Sequence, residues 1–445
     1  MTLEDKEYDI IFVSASDNYN GLDAHGLVGL YRYMKYEMGK NCAFLCTLDQ
    51  QYPEIEDSYN ISSFFNVGVI NTFLSTHQTN QDLVSQYAEK GIKKFPKHKK
   101  IILGDISDID VKHMKYIFDT HNSKVYYYNM VNNIYTAYCA YPEWHGCQKY
   151  KSSDGCYDCP DLKFTRPSRT INQHTIRQIW EDKKDLFQNK KYSDNITYIC
   201  ASSHSKKQAE DSYLLQGIKK DFVPLKNVYS KVDNEEDILD LRKENRNNFV
   251  NKIFRQTQKD LSEYKICYWS SYSADIKRKG FEYFLESLRI LKEKYVSEDD
   301  FEKILFVFSG DKDSYRKFNK LYPNNILDLL TGVVDEDTIN HILMSSDLFC
   351  CTTLEDGGPR TIGEAASCGT PIISFDRCIS LDLVNDKNGK IIETYDTDSF
   401  AKSMADVLFK ADEEHNNMCL ESLKSFNRFY DDKKIQDTWN RILGE

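Results

Sequence analysis

No stretch of this chain approaches the run of about 18–20 apolar residues that a membrane-crossing helix needs. No secretory leader is expected at the start of the sequence either. The opening "MTLEDKEYDIIFVSAS" is acidic and passes directly into a strand-like run. Positive charge is in short supply: the formal net charge is −11. That excludes a general nucleic-acid binder, which needs a basic face to neutralise phosphates. There is no GxGxxG fingerprint, so a classical dinucleotide site has no support. Short repeats and low-complexity blocks are absent as well. Most of the 13 cysteines are scattered singly in apolar segments, as at Cys42, Cys200, Cys267 and Cys419. Buried free thiols fit that pattern better than a disulfide framework. The expectation is a cytoplasmic protein.

What the chain does contain is an alternation of β-rich and helix-period runs. "YDIIFVSAS" precedes "GLVGLYRYMKYEM", "NCAFLCTL" follows, "KKIILGDI" leads into "DVKHMKYIFDTH", and then comes "KVYYYNMV". The pattern restarts with "KICYWSSYS", "KILFVFSGD", "DLFCCTT" and "TPIISFD", each beside a helical segment. A chain of 445 residues is too long for one ordinary core. Two such series predict two doubly wound α/β domains with parallel sheets. The charged, strand-free stretch around "KVDNEEDILDLRKENRNN" marks the boundary region.

Ligands of open parallel sheets bind outside the carboxyl ends of the strands, so the strand-to-helix turns are the places to search. In the first, Gly21 follows a strand and lets a ligand approach a helix N-terminus, although an ordinary loop would look the same. In the second, Arg278 and Lys279 precede an amphipathic helix with apolar residues at Phe281, Phe284, Leu285 and Leu288. These cations either pair with a diphosphate or form a solvated loop. The third is "CCTTLEDGGPRTIGEAASCGTPIISFD", Cys350 to Asp376. Gly357, Gly358 and Pro359 make a turn whose N–H groups, with those of Arg360 and Thr361, can hold phosphate. Glu364, placed about two turns into the following helix, can accept from the paired hydroxyls of a ribose. Asp356 can reach a second polyol. Two acids on a solvated surface sit badly with the apolar strands on both sides.

"EDGGPRTIGEAASCGTPIISFD" resembles the donor-site motif of the retaining glycosyltransferases of family 4, which have the GT-B architecture. In that motif two acids separated by seven residues are followed by Ala and Gly-x-Pro; Asp356 and Glu364 fall on the acids, the first of which is usually Glu. "IKRKGFEYFLESLRIL", "LLTGVVDEDTINHILMSSDLF" and "LVNDKNGKII" resemble the flanking family segments in the same order. "ITYICASSHSKKQAEDSYLL" and Gly21 carry a weaker likeness in the N-terminal half. The resemblance implies two Rossmann-like domains facing a central cleft. The first, 1–220, would be an acceptor domain; the second, 221–420, a donor domain; and 421–445 a terminal helix packing back on the first. It implies that Glu364 holds the donor ribose and Asp356 the donor sugar. Lys279 and Arg278, with N–H groups from Gly358 to Thr361, would neutralise the diphosphate leaving group without a catalytic divalent metal.

Four cysteines are not scattered. Cys139, Cys147, Cys156 and Cys159 lie within "TAYCAYPEWHGCQKYKSSDGCYDCPDL". Their spacing suits a structural Zn²⁺ held by four thiolates, with two disulfides as the rival. A similar insert ending in CxxCP occurs in some bacterial polysaccharide-type members of the family. Those relatives carry His-Asp where Met130 and Val131 stand here, shortly before Thr136. His25 and His145 are possible substitutes or plain loop histidines. The lysine-rich "GIKKFPKHKK", Gly91 to Lys100, is either a solvated loop or a peripheral contact with an anionic membrane carrying a lipid-linked acceptor. The expected activity is retaining transfer of a sugar from a nucleotide diphosphate donor to a glycan, lipid-linked or other acceptor. A GT-B epimerase or phosphorylase, and a glycan-binding protein that has lost catalysis, are the alternatives.

Overall fold

Ile10, Ile11, Phe12 and Val13 are fully buried, and β-branched and aromatic runs of this kind form strands that are covered on both faces. In the computed structural model they lie in β1 (Glu7–Ser16). The first sheet continues with β2 (Cys42–Asp49), β3 (Ser58–Asn60), β4 (Lys97–Leu103), β5 (Lys124–Tyr128), β6 (Ile196–Cys200) and β7 (Lys219–Phe222). The second contains β8 (Lys265–Ser270), β9 (Ile304–Gly310), β10 (Ile326–Thr331), β11 (Leu348–Cys351), β12 (Ile372–Phe375) and β13 (Gly389–Ile392). The structure describes residues 3–16, 26–49, 56–61, 90–104, 111–129, 132–137, 139, 141–159, 173–225, 232, 235–258, 260–270, 277–310, 312–323, 325–331, 336–358 and 360–445.

The strand orders are β3-β2-β1-β4-β5-β6-β7 and β10-β9-β8-β11-β12-β13. Neighbouring strands in both sheets run parallel. Each order reverses once, between β1 and β4 in the first sheet and between β8 and β11 in the second. The expected pair of doubly wound α/β units is present. The first unit comprises Met1–Val228 together with Ile435–Glu445, and the second Tyr229–Lys434. The first sheet is therefore complete, β7 included, before the chain passes to the second. Within the first unit the terminal segment is held by Glu445, which pairs with Lys100 at 2.7 Å and also with Lys40. No described helix is long and apolar enough to cross a membrane.

In the second unit one close approach fixes the sheet's centre. Trp269 on β8 stacks on Phe308 of β9, with ring centroids 5.4 Å apart, and on Phe284 at 5.6 Å. Its indole N–H donates to Thr352 Oγ1 at 3.1 Å. Thr352 in turn donates to the carbonyl of Lys279. Gly280 begins the helix Phe281–Ile290 with φ +69°, and a Cβ there would stand 2.0 Å from the Thr352 carbonyl oxygen. Only glycine meets both the left-handed backbone and the contact distance.

Gly280→Ala should therefore cost roughly 2–4 kcal/mol, combining αL strain with a backbone clash that no rotamer relieves. Urea denaturation checks this; a loss within about 0.5 kcal/mol, the usual scale of a surface substitution, would show that the turn can move away.

Candidate functional site

The reversal of strand order in the second sheet brings the turn after β8 beside the turn after β11, which is where doubly wound sheets bind ligands. Arg278 and Lys279 stand in the 3₁₀ turn Lys277–Lys279. Asp356 follows β11. Asp356 Oδ2 accepts from Arg278 Nη1 at 2.6 Å and from Lys279 Nζ at 2.7 Å. Its other oxygen accepts the Gly358 N–H at 3.2 Å. Backbone bonds join the same two turns: Leu354 N–H to the Arg278 carbonyl at 2.8 Å, and Arg278 Nη1 to the Glu355 carbonyl at 2.9 Å.

The three charged side chains are 14–19 % exposed. Burial works to raise the pKa of Asp356, but the Lys279 and Arg278 charges outweigh it and hold the carboxyl well below the usual carboxylate range. Two cations thus share one carboxylate oxygen before any ligand arrives.

The helix Arg360–Ser367 starts just beyond this cluster. Gly369, at φ +64°, adopts the left-handed conformation that ends such a helix. Glu364 is 2 % exposed and forms an ion pair with Arg360, Nε to Oε1 2.5 Å. It lies four residues after the first helical residue, so it stands one turn from the N-terminus rather than two. The reason is that the helix begins at Arg360, directly after the turn. Behind the helix, Arg242 donates to the carbonyls of Leu343, Cys368 and Ser346 and to Thr370 Oγ1.

The structure thus gathers Arg278, Lys279, Asp356, Gly357, Gly358, Arg360, Thr361 and Glu364 around two adjoining turns of the second unit. Gly21, His25, Met130, Val131 and Pro359 lie outside the described residues. The cysteine segment is less convergent than its spacing suggests. Cys139 Sγ lies 4.0 Å from His145 Nε2, and Cys156 Sγ accepts the Ala137 N–H at 3.3 Å. Burial pushes the Cys156 thiol up to about 11, with Cys147 and Cys159 near enough to add to the effect. Among the described residues no three His, Cys, Asp or Glu side chains come together as a metal site. In the lysine-rich stretch, Lys99 pairs with Asp9 at 2.9 Å and Lys100 with Glu445 at 2.7 Å. Those two charges are engaged within the protein.

Sequence reasoning passed over Lys183. Its ammonium donates to the carbonyls of Asn133, Thr136 (2.9 Å) and Ala137 (3.1 Å), tying down the chain after β5. A lysine on an amphipathic helix carries no sequence signal for that role.

Residues 249–422 match the family described as Glycosyl transferases group 1. That match lies within the second unit, around the cluster just described. No curated protein matches the chain. Among solved structures, a glycosyltransferase from Rickettsia africae is similar at TM-score 0.63 and 11% identity, covering 98% of each chain. The trehalose-6-phosphate protein of E. coli bound with UDP-2-fluoro glucose is similar at TM-score 0.60 and 12% identity, again over 98% of both chains. Anabaena HepE in complex with UDP and glucose is similar at TM-score 0.58 and 10% identity, over 98% of this chain and 99% of its own. The fold is GT-B.

Asp356→Asn should lower stability at pH 7 by about 1–3 kcal/mol, because two part-buried cations lose their partner. The folded-state pKa of Asp356 is depressed, so its contribution is present above the unfolded value near 3.8 and is lost as pH falls through and below it. The gap between wild type and variant, measured by urea denaturation, should begin to narrow between about pH 5 and pH 3, around the ordinary aspartate range, and continue to narrow below it. A gap that stays constant with pH would contradict the ion-pair account.

Proposed function

We propose that this protein is a retaining glycosyltransferase that takes a sugar from a nucleotide diphosphate donor. The observation that carries the reading is the placement of Lys279 and Arg278 against the N-terminal turn of helix Arg360–Ser367. Breaking a glycosyl–phosphate bond builds negative charge on the departing diphosphate. Fixed cations and backbone N–H groups placed at that charge lower the barrier. Glu364, buried one turn along, is set to accept from the ribose hydroxyls, and Arg360 pairs with it until the nucleotide arrives. Asp356 has a double part. It holds the two cations in place and, as they turn to the diphosphate, its oxygens become available to a donor hydroxyl.

The family match over 249–422 supports glycosyl transfer. Structures of the same fold in complex with UDP and glucose or UDP-2-fluoro glucose support a nucleotide-sugar donor. On this reading the two cations supply the charge that a divalent metal supplies elsewhere, and the acceptor is a glycan or a lipid-linked saccharide. We extend the proposal to one Zn²⁺ in the Cys139–Cys159 segment, held for folding rather than turnover. Such a site requires Cys147 and Cys159 to close on Cys156 when the metal binds.

Lys279→Ala should reduce kcat/KM by the equivalent of about 2–4 kcal/mol, the scale of losing one preorganised charge partner. Glu364→Ala should weaken nucleotide diphosphate binding itself, since the ribose contact already exists in the ground state. Near-normal turnover in the first variant together with unchanged binding in the second would refute the donor site. Before either is made, a thermal-shift screen of nucleotide sugars tests the reading at its root. A donor bound well below its working concentration raises Tm by mass action, and a flat response to every nucleotide sugar counts against transfer.

For the metal, elemental analysis of protein purified without chelator should find about one zinc per chain, and Cys156→Ser should lower Tm. Zinc-free protein with normal stability would end that part of the proposal.

A further inference from the structure

The first unit contains a buried polar group that its own fold leaves unused. Asn129 directly follows β5 at the carboxyl end of the first sheet and is 1 % exposed. Its backbone N–H is bonded to the Ile199 carbonyl at 2.9 Å. Neither atom of its side-chain amide has a partner among the described residues. An unmade bond of this kind carries the full desolvation cost of the buried group, and native chains seldom retain one without a use for it.

The neighbouring residues are tied down by their own contacts. Tyr128, the residue before it, donates to the Val223 carbonyl at 2.9 Å and stacks on Trp439. Tyr127 stacks on Tyr198, with centroids 5.7 Å apart, and donates to Asn133 Oδ1 at 3.1 Å. Beyond it Lys183 clamps the carbonyls of Asn133, Thr136 and Ala137. Thr136 Oγ1 closes on the Cys139 carbonyl at 2.6 Å. The strand before Asn129 and the described turn from Asn132 to Ala137 are therefore each tied to the rest of the unit. Such bracing preorganises a binding group and does nothing to satisfy it.

We propose that Asn129 is a ligand-binding residue of the first unit that takes a pair of neighbouring hydroxyl groups. The chemistry narrows the class to groups that donate and accept side by side, and the glycosyl-transfer reading above favours a sugar diol among them. A side-chain amide offers a donor and an acceptor side by side. A phosphate or carboxylate would satisfy the NH₂ and repel the carbonyl, and a cation would do the reverse. A vicinal diol both donates and accepts, so it satisfies both atoms together. The place, outside the carboxyl end of a parallel strand, is where such sheets bind ligands. That the diol belongs to an acceptor saccharide rests on the glycosyl-transfer reading above; the hydrogen-bonding site itself does not.

The test uses the full chain and two variants, Asn129→Leu and Asn129→Ala, whose packing errors are of opposite kinds. The probes are the methyl glycosides of glucose, galactose, mannose and N-acetylglucosamine, followed by saturation-transfer NMR and thermal unfolding. The wild type should bind at least one glycoside, and both variants should bind it about tenfold or more weakly, the loss of one or two neutral hydrogen bonds. At least one variant should match or exceed the wild-type Tm, because an unpaired amide has been removed. Retained binding in either variant, a fall in Tm in both, or no glycoside bound by the wild type would each overturn the proposal. Nucleotide-sugar binding measured on the same preparations separates this from the transferase reading: its loss refutes that reading alone.

Discussion

A single carboxylate between two cations organises the second unit. Asp356 sits after β11 and reaches back to Arg278 and Lys279, which follow β8. The contact is possible only because those strands are neighbours at the point where the sheet's order reverses. Much of the nearby packing follows from it. Gly280 is glycine because the two turns meet at backbone distance. Thr352 bonds both to the Lys279 carbonyl and to the Trp269 indole, which links the charged turn to the aromatic centre of the sheet. The charges are tied through Thr352 to the buried aromatic residues of the sheet.

That arrangement suits a leaving group that gains charge during reaction. Long cationic side chains on a surface would have to be ordered as the bond breaks, at a cost in rotamer entropy. Here the ordering is complete in the free protein, and the opposing carboxylate keeps the cations from straying. Glu364 and Arg360 repeat the device one turn further on, with the carboxylate almost wholly out of solvent. Asp356 holds two cations in place and Glu364 one, and on the proposed reading these pairs would open toward a nucleotide.

The central strands were legible because burial on both faces demands continuous apolar runs, as in "YDIIFVSAS" and "KICYWSSYS". Five strands escaped the periodicity: β3 (SYN), β6 (ITYIC), β7 (KKDF), β10 (ILDLLT) and β13 (GKII), with β6 and β13 touched only through family likeness. All but the interior β6 are edge strands. An edge is short and tolerates charge, so its sequence carries less of the strand signal. The two acids and two cations of the site were legible as residues, and their roles were expected to be separate, Asp356 on a sugar and the cations on a diphosphate. Their mutual pairing was not visible, since it depends on which strands become neighbours. Asn129 and Lys183 gave no signal at all. One is an ordinary residue beside Met130, where attention fell on a missing histidine; the other reads as a solvated helix lysine until three carbonyls are seen around it.

The central claim is that the Lys279–Arg278–Asp356 cluster and the helix that begins at Arg360 form a diphosphate site. A crystal structure of the protein with a nucleotide diphosphate bound tests it most directly. The account predicts phosphate oxygens within hydrogen-bonding reach of Lys279 Nζ and of the N–H groups between Gly358 and Thr361, with the ribose hydroxyls on Glu364. A nucleotide seated elsewhere, with Asp356 still closed on both cations, would contradict it.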